Sequence, residues 1–111
     1  MGFFSDTRAA LDLMNAADAI NDCLKGTMPY LSKYDLGDTF RTEDRPYIRA
    51  GVEFVEGKVA YMQSRMQNLP PHKLMTTMVR TMDGHRTAAP GYVMAMHQMC
   101  KELKAQLAKS Y

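Results

Sequence analysis

Ile48, Val52, Val55, Val59, Met62, Met66 and Leu69 recur at alternating steps of four and three residues, and Pro70-Pro71 follows at once. Such a stripe is the seam of one amphipathic helix, about 35 Å long at 1.5 Å per residue, packed at a shallow angle along a partner helix. The prolines end it, because each lacks an amide donor and restricts the residue before it. Arg45 to Asn68 is therefore predicted as a helix, with Thr42 or Asp44 as its cap and Pro46 tolerated in the first turn. Tyr47, Phe54 and Tyr61 fall on a second stripe with Gly51 and Lys58, wide enough to touch two neighbours.

A seam of that length needs other helices, and punctuation divides the chain so as to supply them. Ser5 or Asp6 offers a cap for a run from Thr7 to Leu24, with Ala9, Ala10, Leu13, Met14, Ala17, Ile20 and Leu24 at helical spacing; Gly26 is expected to stop it. Its alanines allow a close neighbour. After the prolines, Leu74, Met75, Met78, Val79 and Met82 suggest a short helix from His72 to Met82, closed by Asp83-Gly84. Pro90 opens a last helix with Tyr92, Val93, Met96, Cys100, Leu103 and Leu107 inward. No stretch alternates with a period of two for long enough to suggest a sheet. The expected fold is all-α, a small and mainly antiparallel four-helix bundle with one short proline-bounded helix, forming a single domain over residues 1–111. With 46% hydrophobic and 23% charged residues the chain has a core to build and is not of the disordered class.

Cys23 and Cys100 stand far apart and give neither a disulfide framework nor a paired zinc motif. The start Met-Gly-Phe-Phe-Ser-Asp lacks the basic and apolar regions of a signal peptide, and no apolar run reaches membrane-spanning length, so a cytoplasmic protein without a membrane partner is expected. The net charge of +2 hides a division: residues 1–57 carry six basic and ten acidic side chains, and residues 58–111 carry eight and two. Packing of the acidic half against the basic half is the expected use of that division. An anionic partner for the basic half, nucleic acid above all, is the alternative.

Met94, Met96, His97, Met99 and Cys100 form the densest set of soft metal donors. On a helix Met94 and Met96 point about 160° apart, so they do not share an ion. Methionine as a filler of irregular core space accounts for them, and no metal or cofactor is expected. Cys100 lies on an inward stripe, where a thiol is a poor nucleophile. His85-Arg86 offers a loop site for an anion at most. With no phosphate-binding glycine loop, no His-Glu-x-x-His and no paired Glu-x-x-His segments, the chain is not expected to be an enzyme.

What remains is a helical interaction module: an adaptor, inhibitor or assembly subunit acting on another protein, with self-association open. Phages and mobile elements encode many small chains of this type, as host-directed inhibitors or virion components, and a virion or other structural assembly role is a further alternative. The expected contact surface is the connection of residues 26–43 and the helix face beside it. Tyr30, Tyr34, Phe40 and Tyr47 are its aromatic anchors, and Arg41, Arg45 and Arg49 are its charged rim.

Overall fold

A computed structural model describes residues 3–109, of residues 3 and 4 the backbone only; Met1, Gly2, Ser110 and Tyr111 lie outside it. The elements in chain order are α1 (Phe3–Leu31), α2 (Arg45–Met66), α3 (Pro71–Leu74), β1 (Met78–Arg80), β2 (Arg86–Ala88) and α4 (Ala89–Leu107). With 69% helix and 6% strand the fold is mostly helical. α2 is the middle layer, packed on α1 along one side and on α4 along the other. Both packings are antiparallel. Asp12 meets Arg65 at one end of the α1–α2 pair and Tyr30 meets Tyr47 at the other. Against α4, the first residue of α2, Arg45, reaches the carbonyls of Leu107 and Lys109.

The seam of α2 is the centre of the core: Ile48, Val52, Val55, Val59 and Met62 are buried, as is Leu69 beyond the helix end. Ala9, Leu13, Ala17, Ile20 and Leu24 meet it from α1, and Tyr92, Val93, Cys100 and Leu107 from α4. The alanines permit the close neighbour their size allows. At Gly51 a Cβ would stand 2.5 Å from the Thr27 Oγ1, so α1 touches α2 through a hydroxyl that already donates to the Cys23 carbonyl at 2.9 Å.

Three expectations are corrected. Gly26 does not stop α1, which runs on for more than one further turn, through Pro29, to Leu31. A proline this close to a helix end deprives the last turn of only one bond, and Gly26 sits where α1 needs no side chain. Asp44 precedes α2 but does not cap it with its side chain, which is engaged elsewhere. The helix expected over His72 to Met82 is one turn, α3, followed by a hairpin in which Met78 pairs with Ala88, Val79 with Thr87 and Arg80 with Arg86. The bundle therefore has three long helices, with α3 at the end opposite the 32–44 connection and the hairpin laid along the middle of α1, beside Met14, Asp18 and Asn21. β-branched Thr77, Val79, Thr81 and Thr87 favour the extended chain, and Gly84, at φ +90°, makes the turn. The hairpin is held by main-chain and buried polar contacts: the Asn21 amide donates to the Arg80 carbonyl at 2.7 Å, and the Tyr92 hydroxyl donates to the Asn21 Oδ1 at 2.7 Å.

Candidate interaction surface

The connection of residues 32–44 has the aromatic content of a contact surface, but it is folded onto the ends of the helices. Phe40 is 1% exposed, with its ring edge-on to Tyr34 at 4.9 Å between centroids. The Tyr34 hydroxyl donates to Asp44 and accepts from the Arg41 amide at 3.0 Å. Lys33 lies 3.2 Å from the same carboxylate. That hydroxyl, more than the lysine, holds the Asp44 carboxyl below its ordinary range, while desolvation and the carboxylate raise the Tyr34 phenol. Gln106 donates to the carbonyls of Asp38 and Asp35 at 2.7 and 3.2 Å, and Lys109 to that of Gly37 at 2.8 Å. The connection is thus a clasp between α1, α2 and the end of α4.

The anchors predicted from sequence divide accordingly. Tyr34 and Phe40 belong to the clasp. Arg45 does too, because its guanidinium satisfies two carbonyls at the C-terminus of α4 and complements that helix's dipole. Arg41 and Arg49 are exposed, as the rim reading requires. Tyr30 and Tyr47 stack face to face, with centroids 4.6 Å apart and planes 6° apart, at the edge of a different surface.

That surface is the outer side of the α1–α2 pair. Tyr47, Phe54 and Tyr61, seven residues apart, stand 56, 44 and 42% exposed in a row along α2. Beside the row runs an open apolar groove of about 740 Å³, floored by Cys23, Gly26, Thr27, Ala50 and Gly51. Lys58 lies over the Phe54 and Tyr61 rings at 5.7 and 5.8 Å. Phe54 and Tyr61, which the sequence offers as the stripe continuing from Tyr47 on the adjoining helix face, are the middle and far end of this row. The signal for them was the seven-residue spacing itself, offset by one position from the seam and so turned away from it.

Elsewhere the chemistry is structural. Three ion pairs join the acidic half to the basic half: Asp6 with Lys73 at 2.6 Å, Asp12 with Arg65 at 2.9 Å and Glu56 with Lys104 at 2.9 Å. The expected packing of one half on the other accounts for these charges. Burial, reinforced by Glu56, pushes the Cys100 thiol up, away from a reactive thiolate. Met96 and Met99 are half-buried beside the core, whereas Met94 and His97 are exposed. Among the described residues no three His, Cys, Asp or Glu side chains come together as a metal site. Nor is any described helix long and apolar enough to cross a membrane. The chain matches no protein-family model, no curated protein and no solved structure.

Proposed function

We propose that this chain is a non-enzymatic interaction module that works by presenting the α1–α2 face to another protein chain, in the manner of a small adaptor, inhibitor or assembly subunit. The exposed row of Tyr47, Phe54 and Tyr61 carries the reading. Aromatic side chains supply much of the binding energy of interfaces, and a row fixed on a packed helix loses little freedom on docking. Arg49 lies two residues from Tyr47 but on the α4 side of α2, beside Glu53 and Lys104, so the cation that steers an acidic partner to this face is Lys58, within the row. The test is a photo-crosslinking amino acid placed at position 54, 61 or 98 in cells that naturally make the protein, with adducts identified by mass spectrometry. Discrete protein adducts at 54 and 61, with none at the exposed α4 position 98, are expected. No adduct at 54, or equal labelling at 98, contradicts the reading.

A nucleic-acid role is the second reading, favoured by one observation. Arg80 and Arg86 are cross-strand partners on the hairpin, both exposed, and neither forms an ion pair among the described residues. Like charges directly opposite are unfavourable, and a phosphate between them relieves that cost. Binding of a duplex that weakens steeply with salt and disappears in an Arg80→Ala, Arg86→Ala variant would put this reading first.

A further inference from the structure

We infer that the hairpin and α1 together form a backbone site for double-stranded RNA, in which Arg80 and Arg86 hold one phosphodiester and Asp18 accepts a hydrogen bond from the ribose 2′-hydroxyl beside it. The inference rests on the nucleic-acid reading and names the kind of duplex. The strand register brings the two arginines together. Thr81 donates its amide to the His85 carbonyl at 2.7 Å and Ala89 donates to that of Thr77 at 2.9 Å, so by alternation Arg80 and Arg86 form a non-hydrogen-bonded pair. The Arg80 carbonyl accordingly points away from β2, to the Asn21 amide. In such a pair the Cα atoms stand about 4.5 Å apart and both side chains leave the same face, close enough to converge on one anion. Val79 enters the core from the opposite face of β1, so Met78, Arg80 and Arg86 are turned to solvent.

Across a groove of about 270 Å³ the arginines meet Met14 and Asp18 of α1. Asp18 is exposed, and neither it nor either arginine forms an ion pair among the described residues. Asp83, the carboxylate of the hairpin itself, is committed to the turn, where it accepts from the Thr81 hydroxyl and the His85 amide. Two guanidinium groups and one carboxylate leave one positive charge in the groove, which a phosphodiester neutralises. A terminal phosphate, with a charge of about −2, would face Asp18 uncompensated. RNA places a 2′-hydroxyl beside each phosphodiester as a donor to Asp18; DNA has none there, and an acidic protein side chain carries no fixed donor. The remaining lining, Met14, Thr76 and Met78, offers no aromatic ring to hold an unstacked base, so the bases stay paired. Duplex RNA presents phosphates and 2′-hydroxyls together along its wide, shallow minor groove. Cys23, on the floor of the aromatic groove, lies about 140–180° around α1 from Asp18 and Met14, so the two surfaces are separate.

The test measures binding of the purified full chain to a fluorescein-labelled RNA duplex, to the DNA duplex of the same sequence and to phosphatidylglycerol vesicles, over a range of salt. The RNA duplex is expected to bind about tenfold more tightly than the DNA duplex, the effect of one hydrogen bond to a charged group. The Arg80→Ala, Arg86→Ala variant should lose both duplexes while keeping the parent's helical spectrum. Asp18→Ala is the deciding variant. It removes an acceptor that only RNA uses and a repulsion that both duplexes feel, so DNA binding should strengthen and the ratio of the two affinities should fall towards one. Equal affinity for the two duplexes in the parent, an RNA preference that survives Asp18→Ala, or binding of the vesicles in place of the RNA overturns the inference. Its failure is separable from that of the nucleic-acid reading. Duplexes bound alike, and lost together in the arginine variant, defeat the choice of RNA alone; binding of neither duplex defeats the reading as well.

Discussion

Tyr34 and Phe40 in the 32–44 connection lie edge to face and are tied by hydrogen bonds to Asp44 and the Arg41 amide, whereas Tyr47, Phe54 and Tyr61 on α2 stand in solvent. Both regions are aromatic, both lie beside arginines, and they are separated by a few residues. The difference is in their polar partners. The Tyr34 phenol and the Arg45 guanidinium each have a specific acceptor that the fold supplies, the Asp44 carboxylate for the one and two carbonyls at the end of α4 for the other. The row on α2 has stacking and a lysine, but its apolar surface is left uncovered. Aromatic content in a loop is thus not by itself a sign of a contact surface; a loop that must close a bundle uses the same residues to cover the helix ends.

The sharpest way to break this contrast is to truncate one ring from each region. Phe40→Ala should cost about 3–5 kcal/mol in urea unfolding, as large aromatic truncations in cores do. Tyr61→Ala should change the monomer's stability by no more than about 0.5 kcal/mol. Equal losses would erase the distinction.

Gly51→Ala probes the floor of the face. The added methyl meets the Thr27 Oγ1 on the buried side of the helix pair, so α1 and α2 must separate or Thr27 must give up its bond to Cys23. A loss of about 1–3 kcal/mol is expected, with the double variant Gly51→Ala, Thr27→Ala recovering part of it. No loss would mean that the close approach at the groove floor is not a constraint.

A smaller effect, and a more selective one, separates the clasp by pH. The Asp44 carboxyl is held low in the fold, first by the Tyr34 hydroxyl, so its contribution is complete above the unfolded value of about 3.9 and is lost as pH falls through the lower folded value. Asp44→Asn should therefore be less stable than the parent at neutral pH, with the gap closing in acid. Unfolding midpoints measured from neutral pH into acid decide this, and a gap constant across that range contradicts the role given to Asp44.

The α2 helix was legible because its seam repeats over three heptads and ends on two prolines, a pattern with one structural solution. The hairpin was not, since each strand has three residues and β1 buries only Val79, too few for a period of two to show. Met75, Met78 and Met82 imitated a helical stripe by spacing alone; all three are exposed. The clasp was not legible for another reason. Contacts such as Gln106 with Asp38 join positions 68 residues apart, and nothing in the local pattern around Tyr34 announces them. The outward row was visible as a second stripe, but whether a neighbour covers such a stripe depends on where α1 lies.

The central claim is that the α2 row serves association and not the fold. Urea unfolding of the parent and of a Phe54→Ala, Tyr61→Ala variant, followed across a wide range of protein concentrations, tests it most directly. Both rings stand exposed in the folded chain, so the variant's unfolding free energy should lie within about 1 kcal/mol of the parent's at the lowest concentration. A variant midpoint that lies well below the parent's even at the lowest concentration would contradict the account.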